Sequence, residues 1–198
     1  VMAILNQKTI NKPINIEGIT LHKGKYAKLR ILPSSPNTGI SFKRVDLTKN
    51  NTVVANFCNV SDATLCTTLS NQYNVKVSTV EHLLAALYLA QIDNALIEID
   101  SEEIPIMDGS AKNFLDVFKN IKVNYLSSKR KYLKVTEKVE LKDGKKTISI
   151  QPNQISLEVD FQLDYENKII GNQRNSINFL TDELHDVSSS RTFCLIKD

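Results

Sequence analysis

Two segments of the chain, whose turn glycines stand 120 residues apart, follow the same plan. In each, a strand-like segment, a turn with lysine and glycine, a second strand-like segment and a proline follow one another. The first covers residues 21–33 and the second residues 141–152, with the turns at Gly24 and Gly144. Alternation of apolar and polar residues predicts strands, and a glycine or Asp-Gly turn between them predicts a hairpin. A duplicated plan predicts two similarly built domains.

Between and beyond the predicted hairpins, the pattern mixes strands with a few helices. Apolar residues recur at helical spacing from Ser78 to about Ala90, which predicts the clearest helix. Further helices are predicted at residues 111–118 and 181–187, and further strands at residues 40–45, 95–99, 155–163 and around 177–179. Mixed elements of this kind predict an α+β fold, with a β-sheet layer packed on helices in each domain.

Polar and charged residues interrupt the apolar pattern at residues 126–129, which predicts a domain boundary there. We therefore expect residues 1–127 to form the first α+β domain and residues 128–198 to form the first part of the second. A second domain equal in size to the first would extend well past residue 198, so the chain is expected to stop inside it.

Composition excludes several classes of protein. The chain of 198 residues is 41% hydrophobic and 24% charged, which is typical of a soluble globular protein. Neither a membrane-spanning apolar stretch nor a signal peptide is apparent, so we expect a cytoplasmic protein with at most peripheral membrane contact. The net charge of +3 comes from scattered lysines, so no nucleic acid partner is expected. Three widely spaced cysteines without a CxxC pair predict reduced, mostly buried thiols.

The stretch Ser-Thr-Val-Glu-His-Leu at residues 78–83 permits two interpretations. In the structural one, Ser78 is the N-cap of the predicted helix and Glu81 completes a capping box. In the functional one, His82 is a neutral imidazole that binds a metal, and Glu81 accepts a proton from water at that metal. A catalytic zinc needs three protein ligands, and neither His22 nor His185 has the spacing that completes such a site. The residues alone predict an α+β protein with a candidate metal site.

Besides the 78–83 stretch, the chain carries Ile-Pro-Ile-Met-Asp-Gly-Ser-Ala at 104–111, and these two are the most specific of several motifs in order. Together the motifs resemble the UDP-3-O-acyl-N-acetylglucosamine deacetylase family of bacterial lipid A biosynthesis. Thr20 replaces a glycine of the family pattern in the 18–24 turn. The remaining matching segments are Pro-Asn-Thr-Gly-Ile at 36–40, Arg-Val-Asp-Leu at 44–47, Ile-Asp-Asn at 92–94, Asn-Gln-Arg at 172–174 and Arg-Thr-Phe at 191–193.

The resemblance implies a zinc-dependent amide hydrolase that removes the N-acetyl group of UDP-3-O-acyl-N-acetylglucosamine and releases acetate. It implies that His82 is a ligand of the catalytic Zn²⁺ and that Glu81 is the general base. The family's other two ligands and its proton-donating histidine lie on later segments that this chain does not contain. This chain alone is therefore expected to be inactive, and a monomer is expected.

The resemblance also implies a set of substrate contacts. Thr192 would stabilise the oxyanion and contact substrate, and Phe193 would contact the glucosamine or the mouth of an acyl passage, although a core position for Phe193 is the alternative. Asp198 would help to bind the sugar. Cys66 would lie near the metal, although a buried structural thiol is the alternative. His22 and Asp108 are expected to be structural.

Two rival functions remain at this point. The main rival is a non-catalytic fragment or paralogue that retains the fold as a binding module. The other is a zinc hydrolase that uses the same scaffold for a different substrate. Sequence beyond residue 198 would discriminate the first rival, and product analysis would discriminate the second.

Overall fold

Strands outnumber helices in the computed structural model of this chain, which describes residues 5–154 and 156–192. The fold is α+β, as predicted. The chain divides into two compact units. The described residues up to Arg130 and those from Asp186 onward belong to the first unit, and Lys131–His185 form the second. The domain boundary between residues 127 and 128 stays a prediction.

The first unit contains most of the regular structure. Its strands, within the described residues, are β1 (Asn6–Ile10), β2 (Ile14–Ile19), β3 (Tyr26–Pro33), β4 (Ile40–Arg44), β5 (Thr52–Val54), β6 (Val60–Asp62), β7 (Thr68–Ser70), β8 (Lys76–Val77), β9 (Ala95–Ile99) and β10 (Val123–Lys129). Its two longer helices are α1 (Glu81–Leu89) and α2 (Lys112–Lys119), and a short 3-10 helix covers Phe57–Asn59. The short helix α3 (His185–Ser189) begins at the boundary between the units.

A five-stranded sheet in the order β2-β3-β9-β4-β5 is the framework of the first unit. Its neighbours pair antiparallel except β4 and β9, which are parallel with Phe42 opposite Ile97. The first predicted hairpin is confirmed as β2–β3, and Gly24 in its turn has a φ of 60°. Leu21 was predicted to lie in a strand, which is wrong: β2 ends at Ile19, and Leu21 is exposed in the turn.

The hydrophobic core lies between one face of this sheet and the helices α1 and α2. Alternate residues of β3 are buried, which explains their period of two in the sequence. Helix α1 buries Leu83, Ala86 and Leu87, and α2 buries Phe114, Leu115 and Phe118. Leu84 and Leu89 are partly buried against the same core, whereas Ala85 and Tyr88 are exposed on the opposite side of α1.

The second unit consists mainly of two hairpins. The predicted Asp-Gly hairpin is confirmed: β11 (Val139–Asp143) pairs with β12 (Lys146–Ile150), and Gly144 has a φ of 57°. The predicted strand over residues 155–163 corresponds to β13 (Glu158–Asp164), which pairs with β14 (Asn172–Asn178). Ile155 lies outside the described residues.

Two findings bear on exposure to solvent and to a bilayer. Among the described cysteines, Cys58 is exposed and Cys66 is half-buried, and both are free. The expectation of mostly buried thiols is therefore wrong for Cys58, which lies in the exposed 3-10 helix. Within the described ranges, no helix has both the length and the apolar character needed to cross a membrane.

Candidate functional site

Helix α1 begins two residues later than the predicted N-cap, Ser78, implies. Val80 is the N-cap, and its apolar side chain cannot accept a hydrogen bond from the helix. The predicted capping box of Ser78 and Glu81 is therefore wrong. Instead, the backbone of Ser78 pairs with residues 102–104 as in a β-sheet. Its N–H donates to the Glu102 carbonyl (2.8 Å), and its carbonyl accepts from the Ile104 N–H (3.0 Å).

The carboxylate of Glu81 is held by the loop that precedes β7. Its Oε2 accepts a hydrogen bond from the Thr67 N–H (3.1 Å). Val80 N–H donates in return to the Thr67 carbonyl (3.4 Å), so the loop and the helix N-terminus are joined in both directions. Cys66, the residue before Thr67, is half-buried with its Sγ 3.8 Å from the Thr68 hydroxyl. The structure thus brings the segment of Cys66 to the start of α1.

His82 follows Glu81 in the first turn and is half-buried. Its Nδ1 is buried and has no hydrogen-bond partner among the described residues. A buried polar atom without a partner costs free energy and calls for a ligand, an ion or a water molecule. Because the adjacent Leu83 points into the core, the imidazole occupies the boundary between the core and the outer face of α1.

A zinc site can be tested against these residues. The buried Nδ1, which has no hydrogen-bond partner among the described residues, makes His82 suitable as one ligand. Three protein ligands are needed for a catalytic zinc. Within residues 5–154 and 156–192, no group of three or more His, Cys, Asp and Glu side chains lies close enough together to hold a metal. The described residues therefore supply one suitable zinc ligand, His82, and not a complete set of three.

Thr192 lies against a different part of the same unit. Its N–H donates to the Gly109 carbonyl (2.9 Å), and its exposed side chain has its Cγ2 close to the Gly109 backbone. The residues 104–111 motif thus positions Thr192. Phe193 and Asp198 lie outside the described residues, and their substrate contacts stay predictions.

Asp108 stabilises the tight turn of this motif. The Ser110 hydroxyl donates to Asp108 Oδ1 (2.7 Å), and this hydrogen bond is the largest cause of a lowered pKa of Asp108, which partial burial opposes. The Arg191 guanidinium, 3.7 Å from Asp108 Oδ2, lowers the pKa of Asp108 further. The ion pair also ties Arg191, the residue before Thr192, to the turn. The structural role predicted for Asp108 agrees with these contacts.

Glu103 is a residue of this region that the sequence analysis did not single out. It is fully buried, and its carboxylate accepts hydrogen bonds from the backbone N–H groups of His22 and Lys23 and from the Thr79 hydroxyl. The side chain of His22 is exposed in its turn, as expected for a turn residue. The available signal was the pair of adjacent acidic residues, Glu102 and Glu103, directly before the apolar start of the 104–111 motif.

Comparison with known proteins decides the family. A family model described as UDP-3-O-acyl N-acetylglycosamine deacetylase matches residues 7–198. The chain belongs to this family. The match includes the segments that carry Glu81, His82 and Thr192.

Individual members of the deacetylase family are similar over nearly the whole chain. A UDP-3-O-acyl-N-acetylglucosamine deacetylase of Idiomarina loihiensis is 39% identical in an alignment of 198 positions. The alignment covers 98% of this chain and 64% of the relative. A protein of the same name from Nautilia profundicola is 37% identical over 195 residues, covering 98% of this chain and 65% of the relative. The chain thus spans slightly less than two thirds of the length of these curated relatives.

Proposed function

We propose that this protein, at the length of its relatives, is a zinc-dependent deacetylase of UDP-3-O-acyl-N-acetylglucosamine in lipid A biosynthesis. The substrate is taken from the names of the relatives. The observation that carries the proposal is the pairing of Glu81 and His82 in the first turn of α1, where the His82 Nδ1 is buried and lacks a partner among the described residues.

His82 would be one of the ligands of the zinc ion. The chemistry that zinc supplies when bound is an increase in the acidity of water and polarisation of a carbonyl oxygen. Because Leu83 and Leu87 anchor α1 in the core, the imidazole is carried by a rigid element. Such an element holds a ligand in position better than a loop does.

Glu81 would act as the general base. Its Oε2 already accepts the Thr67 N–H, so we assign proton acceptance to Oε1. The proton comes from the water that attacks the acetamide carbonyl carbon. Cleavage of the carbon–nitrogen bond then gives acetate and the free amino sugar, and a proton must reach the leaving amine.

Thr192 would donate its hydroxyl hydrogen to the developing oxyanion, a role that requires the donor to be preorganised. Its backbone bond to Gly109 and the Arg191–Asp108 ion pair supply that preorganisation. Cys66, Phe193 and Asp198 would contact substrate, as the family resemblance implies. Thr192 is an exposed residue, as access by a substrate requires.

The decisive experiment incubates the protein at full length with UDP-3-O-acyl-N-acetylglucosamine and zinc, and follows the product by mass spectrometry. Loss of one acetyl group supports the proposal. Binding of the nucleotide sugar without any loss of acetyl would favour the non-catalytic binding module instead. Deacetylation of a different amide only would favour a zinc hydrolase of another substrate.

A further inference from the structure

Glu103 is a buried carboxylate that the proposed reaction does not use. Its exposed fraction is 0%, and it lies directly beside Glu102, which is half-buried and pairs with the Lys23 ammonium (3.1 Å). Burying a carboxylate costs free energy unless hydrogen bonds replace its lost hydration. Here the replacements are the N–H groups of His22 (2.9 Å) and Lys23 (3.0 Å) and the hydroxyl of Thr79 (3.1 Å).

Thr79 is the unusual member of this set. Its φ is 58°, in the left-handed region, which a β-branched residue rarely adopts. Such a conformation persists only where surrounding contacts enforce it, and it is found disproportionately at functional sites. The side chain of Thr79 is 3% exposed, and its hydroxyl is bonded to Glu103.

The left-handed residue sets the direction in which the chain enters α1. Thr79 is followed by the N-cap Val80 and then by Glu81 and His82. Before it, Ser78 is clamped between the Glu102 carbonyl and the Ile104 N–H. The segment 102–104 therefore holds the chain at the bend itself, through Thr79, and at the residue before it, Ser78.

We infer that Glu103 is a positioning residue for Glu81 and His82, acting through the strained bend at Thr79. The inference rests on the proposed function for its consequence in catalysis. The carboxylate enforces the bend from one side and fastens the turn at His22 and Lys23 from the other. Displacement of a catalytic group by even 1 Å can lower the rate on the order of 100-fold.

The test uses Glu103→Gln in the full-length protein, with Glu102→Gln as the matched control. Glutamine retains the size of the side chain but places its amide N–H₂ against the backbone N–H donor of either His22 or Lys23. We expect kcat to fall by roughly tenfold or more, with KM changed less than about twofold, because positioning and not substrate binding is impaired. Glu102→Gln should retain the kcat of the unmodified protein.

Thr79→Val provides a second, independent variant. Valine retains the branched shape and removes the hydroxyl. We expect Thr79→Val to lower kcat as Glu103→Gln does, and the double variant to lose less than the product of the two single losses, because both changes break one connection. If Glu103→Gln does not fold, Thr79→Val carries the test. A kcat equal to that of the unmodified protein in either folded variant would overturn the inference.

Amide hydrogen exchange gives a readout that needs neither substrate nor zinc. Peptides covering residues 20–25 and 77–84 should exchange faster in Glu103→Gln than in Glu102→Gln, whereas a peptide covering α2 should be unchanged. Equal exchange in the two variants would overturn the inference. If the unmodified protein does not deacetylate, the proposed function fails, and the exchange result alone decides whether Glu103 holds the bend.

Discussion

Arg44 and Asp46 form a two-point ion pair, with the Arg44 Nε 2.8 Å from Asp46 Oδ1 and the Arg44 Nη2 2.6 Å from Asp46 Oδ2. A further Arg44 nitrogen, Nη1, donates to the Lys76 carbonyl (2.9 Å), which joins the end of β4 to β8. Arg44 is only 8% exposed. The Arg-x-Asp-Leu segment of the family resemblance therefore has a structural role at this place in the fold.

This pair makes stability depend on pH. Hydrogen bonds from Arg44 are the largest cause of a lowered pKa of Asp46, and partial burial opposes them. Because the folded pKa lies below the unfolded one, the stabilisation is complete above the unfolded pKa, about 4, and is lost as pH falls through the folded pKa. We expect Asp46→Asn to cost about 1–3 kcal/mol at neutral pH, because it weakens the partner of a buried guanidinium. Urea denaturation from pH 7 down to pH 2 should show the difference between the two proteins shrinking below about pH 4.

The matched control for that experiment is Asp160→Asn. Asp160 also pairs with an arginine, Arg174, but both side chains are at least half exposed. Surface pairs are screened by water and salt and contribute little to stability. A loss for Asp160→Asn as large as that for Asp46→Asn would refute burial as the cause.

Glu81→Gln should separate turnover from metal binding. The amide cannot accept the proton from water, so we expect kcat to fall by about 10²–10⁴-fold while zinc content is retained. Activity and metal content are to be measured on the same full-length preparation. Glu98→Gln, at a half-buried position of β9 that pairs with Lys43, serves as the control and should retain activity. Full activity in Glu81→Gln would show that Glu81 is not the general base.

His82→Ala should abolish stabilisation by zinc. A metal that binds only the folded protein raises its stability by mass action, about 2.7 kcal/mol when its concentration is 100 times the Kd. In the full-length protein, we expect zinc to raise the melting temperature of the unmodified form and of His22→Ala, whose residue 22 is exposed in a turn, but not that of His82→Ala. Without zinc, His82→Ala should not be less stable than the other two, because it removes a buried nitrogen that lacks a partner among the described residues.

Two phenylalanines allow a matched test of the core. Phe114 of α2 is 0% exposed, whereas Phe57 of the 3-10 helix is 86% exposed. Truncating a fully buried phenylalanine removes its transfer free energy and leaves a cavity, so Phe114→Ala should cost about 3–5 kcal/mol. Phe57→Ala should leave the free energy of unfolding, measured with urea, within about 0.5 kcal/mol of the unmodified value. Equal losses would contradict the packing of α2 on the sheet.

Much of the local structure was predictable from the sequence. The period of two in β3 and the turn glycines at Gly24 and Gly144 identified two hairpins, because each signal lies within a dozen residues. The start of α1 was not predictable in the same way. Ser78 has the ordinary character of an N-cap, but its backbone is captured by Glu102 and Ile104, about 25 residues away in the chain.

The residues of the candidate site were likewise only partly predictable from the sequence. Glu81 and His82 were identified from adjacent letters of one motif, and their placement in the first turn of α1 agrees with that interpretation. Glu103 was missed because the adjacent acidic pair, Glu102 and Glu103, does not show which of the two carboxylates is buried. Its partners His22 and Lys23 lie about 80 residues earlier, and only the folded chain brings them within hydrogen-bonding distance.

The sequence by itself determined the two hairpins at Gly24 and Gly144 and the approximate extents of α1 and α2, since periodicity and turn chemistry act over a few neighbouring residues. Only the tertiary structure decided the left-handed bend at Thr79, the burial of Glu103 and the parallel pairing of β4 with β9. Each of these depends on a partner that is remote in sequence. The free energy that selects it comes from packing and from the need to satisfy buried polar groups, and neither is encoded in any short stretch of the chain.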